Sequence, residues 1–145
     1  MNRRRRIRMA RRWVAVALWA TVIYMLSDQS KLPTAPGLSS QVTSIAGHLV
    51  AYGILGFLLA AALQESGAGP RRVARLALVL AVLYGISDEW HQSFVPGRDP
   101  SLGDLLADAI GAALGIMLHA IRTTAAPMRR KRAARAEGSP PQTSS

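Results

Sequence analysis

Apolar positions in this chain gather into long blocks instead of the spaced stripe of a soluble amphipathic helix. The blocks run from Trp13 to Leu26, from Val42 to Gln64, from Val73 to Ile86 and from Ser101 to Ile121. A helix that is apolar on every side belongs in lipid or deep in a core, and the second and fourth blocks are long enough to cross a bilayer unaided. The first is short for a span. Its arginine-rich start can snorkel to the interface and Ser27–Gln29 can extend it. The third reaches spanning length if the helix continues through Ser87–Phe94, which places Asp88, Glu89, His91 and Gln92 in its last two turns. Pro96 disfavours helix at Val95 and marks the stop. Ser101 is placed to cap the fourth helix, with Asp104 in the first turn at the positive end of the helix dipole. The pattern predicts an all-α polytopic membrane protein with four transmembrane helices at about 10–29, 42–64, 73–94 and 101–121.

A basic start followed by an apolar run also describes a secretory signal peptide. No Ala-x-Ala site follows Leu26 and three further blocks come later, so an uncleaved first span is the expectation. The 145 residues then divide into a basic segment 1–12, one membrane domain over 13–121 and a tail 122–145. The tail is basic and then rich in Gly, Ser, Pro, Gln and Thr, which predicts disorder.

Charge adds an orientation. The net charge of +10 is almost entirely arginine, and sixteen of the eighteen basic residues fall before block one, between block two and the first turn of block three, or after block four. Four spans put those segments on one side, leaving only Lys31 and Arg98 on the other. The positive-inside rule then makes both termini cytoplasmic, in the cytoplasmic (inner) membrane of a bacterial cell. The basic tail could equally touch anionic lipid. Nucleic acid is not the expected partner, because the charge sits where topology determinants sit and no stacking aromatics accompany it. With no cysteine, disulfides, thiolate metal sites and thiol nucleophiles are excluded.

The chemistry is concentrated in one place. From Asp88 to Asp108 the chain packs Asp88, Glu89, His91, Arg98, Asp99, Asp104 and Asp108 into about twenty residues beside membrane-depth sequence. Charged groups there are costly, which makes the cluster a candidate site. In an up-and-down bundle, His48 on the second helix, Glu89 at the end of the third and Asp104 and Asp108 on one face of the fourth share a depth on the external side.

His48-x-x-x-Tyr52, then Tyr84-Gly-x-x-Asp88-Glu89-x-x-Gln92-x-Phe94-x-Pro96-Gly97-Arg98, then Ser101-x-x-Asp104-x-x-x-Asp108-x-x-Gly111-x-x-x-Gly115 resembles the VanZ-like family over roughly residues 13–121. These are small bacterial integral membrane proteins, named for a member that raises teicoplanin resistance. Many members carry a lysine just before the equivalent of His48; Ser44 to Gly47 here include none. The resemblance implies cell-envelope biology and supplies no reaction. It marks His48, Tyr52, Asp88, Glu89, Gln92, Arg98, Asp104 and Asp108 as the ligand-binding set.

Three functional readings follow. The pocket binds the headgroup of a membrane lipid or a lipid-linked wall precursor, with Arg98 on phosphate or carboxylate. Alternatively, it is an intramembrane hydrolase or transferase acting on a lipid-linked substrate, with Glu89 and Asp108 as candidate catalytic carboxylates, Glu89 or His91 as general base, and Asp104, Asp108 and His48 able to hold a divalent metal. A third reading is proton or ion movement through the acids and His48. Each meets a structural counterpart. Asp88 and Asp104 can serve helix ends, His48 can bond across the bundle, Arg98 can lock its loop, His119 can sit at the interface, and Gly111 and Gly115 can pack helices. No cofactor motif is present. No ligand spacing such as His-x-x-x-His occurs, so no metal is expected; an acid-rich site would need three segments to converge.

Overall fold

The computed structural model of the chain describes residues 3–30, 37 and 39–137, with side chains described as far as residue 125. It contains four helices: α1 Arg3–Ser27, α2 Ser40–Gln64, α3 Pro70–Gln92 and α4 Leu102–Glu137. No strand occurs among the described residues. The α1, α2 and α4 helices are long and apolar enough to cross a membrane. Their outward faces are correspondingly greasy: Leu18 is 64% exposed, and Val50, Val79, Leu83 and Ile110 also project from the bundle. So much exposed apolar surface suits lipid and not water. The chain is a helical membrane protein. By length and composition α3 does not join those three. Arg71, Arg72 and Arg75 occupy its first turns and Asp88 and Glu89 its last, so its uninterrupted apolar part is short.

Helix boundaries depart from the sequence pattern at several ends, each for a local reason. α1 begins at Arg3, so most of the basic segment is helical. Arginine is a good helix former, and its neighbours hold it there. Arg5 Nε donates to the Glu65 carbonyl at 2.9 Å, Arg12 donates to the Ala61 carbonyl, and Arg12 Nη2 lies 3.2 Å from Glu65 Oε1. Cations thus meet the carbonyl end of α2, where the helix dipole favours them. α3 starts at Pro70, a residue suited to a first helical position, so the three arginines of the expected loop ride on the helix. It stops at Gln92 instead of Phe94, with Ser93 at its C-cap. α4 continues to Glu137, past the expected end at Ile121 and into the expected disordered tail. The alanine- and arginine-rich sequence after Pro127 has good helix propensity, whereas Pro127 itself removes one ladder hydrogen bond. Residues 138–145 of that tail, and Lys31, lie outside the described residues.

α2 and α4 form the most extensive pairing, and α1 lies against α2 and α3. The α2–α4 seam is made of small residues. A Cβ on Gly115 would run into the Gly53 carbonyl, one on Gly111 into the Leu49 carbonyl, and one on Gly56 into that of Ala112. Without side chains the two backbones meet directly, the packing that G-x-x-x-G permits where lipid supplies no hydrophobic drive between helices. Around the seam lies one core containing Val16, Ile23, Tyr52, Leu55, Leu59, Ala77, Ala81 and Ile116. At the arginine end, His119 is buried: its Nε2 lies 2.7 Å from Gln64 Oε1 and its ring meets Phe57 edge-on.

Candidate functional site

At the opposite end of the bundle, the start of α2, the end of α3 and the start of α4 come together. Ser101 precedes α4, and its Oγ accepts from the Gly103 and Asp104 N–H groups at 3.0 and 3.4 Å, which satisfies the orphan donors of a first turn. In the turns that follow, Asp104 and, one turn on, Asp108 lie toward α2, and Asp108 also reaches Gly85 of α3. On α2, Ser44, His48 and Tyr52 follow at single-turn spacing on the facing side.

Two linked groups of side chains result. In the first, His48 Nδ1 lies 2.8 Å from Asp108 Oδ1, Ser44 Oγ donates to Asp104 Oδ2 at 3.3 Å, and Glu89 Oε2 accepts from the Ser101 backbone N–H at 2.7 Å. In the second, Tyr52 Oη donates to Asp88 Oδ2 at 3.4 Å, and Gln92 Nε2 donates to Asp88 Oδ2 at 3.2 Å and to Ser27 Oγ of α1 at 3.5 Å. The near-parallel rings of His48 and Tyr52, 12° apart with centroids at 6.2 Å, join the two groups.

Burial here is severe. Asp108 is 0% exposed, Glu89 8% and Asp104 9%. Glu89 Oε1 and Asp108 Oδ2 are buried and accept no hydrogen bond. Buried polar atoms nearly always find a partner, so two orphaned carboxylate oxygens in one cluster point to a ligand or to functional strain. Gly85 leaves the room Asp108 needs, since a Cβ there would sit 2.9 Å from Asp108 Oδ2. The ion pairs of the described residues bring only His48 to a carboxylate of this cluster.

All eight residues of the expected ligand-binding set gather at this end, but among the described residues no ion pair joins Arg98 to the acids. Its Nε donates to the Gln29 carbonyl at 3.0 Å and its Nη2 to the Leu26 carbonyl at 3.1 Å. It thereby caps the carbonyl end of α1, presented by a turn in which Gly97 takes φ +81°. Arg98→Ala is expected to cost about 1 kcal/mol through the lost charge-assisted bonds, and Arg98→Lys should recover little because a point charge does not bridge two carbonyls. The thermal midpoint of the detergent-solubilised protein reads this directly. His91 also turns away: its Nε2 lies 3.3 Å from Asp28 Oδ1 and its ring packs on Tyr24 of α1. In this position it pairs with α1 and not with the acids of the cluster.

Sequence reasoning missed Ser44 and Ser27, and gave Gly85 no role beyond its place in the family motif. Ser44 stands one turn before His48, so helical periodicity could have flagged it. Nothing local ties Ser27 to Gln92 or Gly85 to Asp108, because both contacts cross between helices.

The cluster opens into two cavities. The larger, ≈590 Å³, is lined by Ser40, Thr43, Ser44, Arg98, Ser101 and Asp104 among others. The smaller, ≈90 Å³, reaches inward past Ser27, His48, Tyr52 and Asp88. Trp90 and Phe94, 69% and 68% exposed, meet edge-to-face at the end of α3 with centroids at 5.3 Å, the kind of aromatic pair found at a membrane–water boundary. Among the described residues, His48, Glu89 and Asp104 form one group whose ligand atoms all lie within 4.8 Å of one another.

No curated protein and no solved structure matches this chain. A family model described as VanZ/LLP1 matches residues 6–123, which takes in α2 and α3 whole, most of α1, α4 as far as Thr123, and every residue of the cluster. The chain belongs to the VanZ/LLP1 family.

Proposed function

We propose that this VanZ/LLP1 protein is a multi-pass protein of the bacterial cytoplasmic membrane that binds the polar headgroup of a membrane lipid or lipid-linked wall precursor. Binding of this kind would influence susceptibility to glycopeptides such as teicoplanin. Both termini are cytoplasmic in this reading, α3 makes the fourth pass, and the acidic cleft opens outward, as the one-sided arginine distribution favours. The observation that carries the proposal is the cleft itself. A cavity of ≈590 Å³ with a polar lining adjoins buried carboxylates, beside exposed aromatics and lipid-facing helices. A polar head fits the cleft while its chains stay in lipid.

The test uses wild type and Glu89→Gln expressed in the native host or a close relative, with membrane levels measured alongside teicoplanin susceptibility. Glu89→Gln keeps an oxygen for the Ser101 N–H, so normal accumulation is expected together with loss of the wild-type phenotype. Equal phenotypes at equal levels would remove the pocket from this role.

The buried His48–Asp108 couple favours a second reading, hydrolysis or group transfer on a lipid-linked substrate. A carboxylate that orients a histidine is a recurring way to build a general base. Glu89 and Asp108 are the catalytic candidates in that case, and a Glu89→Gln protein that retains lipid without turnover would support it.

A further inference from the structure

The pocket combines four buried acids with a single ion-paired histidine, while the nearest arginine is committed to carbonyls of α1. Gathering carboxylates away from water is costly unless a cation compensates them. The same acids would repel a phosphate-bearing headgroup. Both difficulties have one chemical resolution.

We propose that His48, Glu89 and Asp104 hold a divalent transition-metal cation of the Mn²⁺ or Zn²⁺ class, with its remaining coordination positions open to the cleft. Four observations carry this. One ligand atom from each of the three residues lies within 4.8 Å of the others. The protein ligands of Zn²⁺ sit about 2.0–2.2 Å from the ion, so atoms sharing one ion are ~3–4 Å apart. Side-chain shifts of about an ångström or less close the difference. Second, Glu89 is buried with Oε1 unpartnered, while Oε2 is fixed by the Ser101 N–H. Half of that carboxylate is held and the other half is vacant for a ligand. Third, Asp108 Oδ1 accepts from His48 Nδ1 at 2.8 Å. That bond sets the tautomer and leaves Nε2 with the lone pair. A carboxylate behind a histidine is the usual outer support of a metal-ligating imidazole. Fourth, the donor set is one imidazole and two carboxylates, which suits Zn²⁺ or Mn²⁺ better than the all-oxygen sites of Ca²⁺.

The spacing along the chain conceals such a site because its ligands come from α2, α3 and α4. Asp108 is a positioning residue here and not a ligand. For its role the inference rests on the headgroup reading: a bound cation inverts the local charge and gives a phosphate oxygen an open coordination position in an otherwise repellent pocket.

The test uses the full chain with a histidine-free tag, stripped by chelator and titrated in detergent with Mn²⁺ alone, then Zn²⁺ alone. Mn²⁺ is followed by electron paramagnetic resonance and Zn²⁺ by calorimetry. One ion per chain is expected. Glu89→Gln and Asp104→Asn should each weaken binding at least ~10-fold, and Asp108→Asn should weaken it by ~10-fold or more through loss of its support of His48. Nitrogen modulation in the spin-echo signal of bound Mn²⁺ should vanish in His48→Ala. Wild type that binds neither ion saturably below millimolar concentration overturns the proposal whatever the variants do, as does tight binding that all the variants retain. The titration contains no lipid precursor, so its failure leaves direct headgroup binding standing. Saturable metal binding with no metal-dependent retention of phospholipid would keep the metal site and remove the role assigned to it.

Discussion

Asp108→Ala is expected to lower the thermal midpoint of the solubilised protein sharply, with a stability loss of about 3 kcal/mol, as for a buried pair deprived of one partner. The physical reasons converge on one side chain. Asp108 is fully buried, it receives His48 Nδ1–H, and it fills the space that Gly85 leaves open. Removing it strands a buried imidazole and opens a void beside Tyr52. Asp108→Asn separates architecture from function. An amide oxygen still accepts from His48, so the fold should survive while the negative charge behind the imidazole is lost. Size-exclusion profiles and melting curves of the two variants, set beside susceptibility, give the answer. If alanine melts as wild type does, the His48–Asp108 bond contributes nothing to stability. If asparagine is less stable yet leaves the phenotype intact, the couple is scaffold.

Gly115→Leu is expected to disrupt the bundle outright. Even a single methyl at this position collides with the Gly53 carbonyl, a backbone atom that cannot rotate away. Over-packing of an ordinary core costs about 1–3 kcal/mol. Here two helix backbones must separate along their whole contact, so the loss should reach or exceed the top of that range. Reduced membrane accumulation and polydisperse material in detergent are the expected outcomes. Leu114→Ala, on the exposed face one residue away, should behave as wild type. A Gly115→Leu protein with normal yield and midpoint would show that α2 and α4 do not pack through this seam.

Both predictions concern contacts across helices, and that is where the sequence was hardest to read. The run of Asp88, Glu89, Gln92, Arg98, Asp104 and Asp108 stands out from its apolar flanks, so the residues could be nominated directly. Their roles could not. Arg98 looks like an anion ligand in a list of charges, and the list does not show that it also bonds the Leu26 and Gln29 carbonyls from the turn at Gly97. His91 neighbours Glu89 in sequence, but it lies on another face of α3 and meets Asp28 and Tyr24 of α1. The G-x-x-x-G of α4 announces a close approach without naming α2 as the partner. Ends of helices were also misplaced wherever arginine was read only as a topology signal. In α1 the arginines are helical residues that clamp the end of α2.

By itself the sequence determined the class of structure, the membrane setting and the cap at Ser101. These depend on run length, local hydropathy and short-range hydrogen bonding, all of which are properties of neighbouring residues. Tertiary structure alone decided that His48 meets Asp108, that Glu89 Oε1 is buried without a partner, that Arg98 serves α1, and that His48, Glu89 and Asp104 face a common point. Those outcomes depend on how each helix is rotated about its axis and how closely α4 sits on α2. A rotation of one residue, about 100°, would send any of these side chains to lipid. The small-residue seam that sets rotation and distance is formed by glycines about sixty residues apart, so no local pattern could specify it.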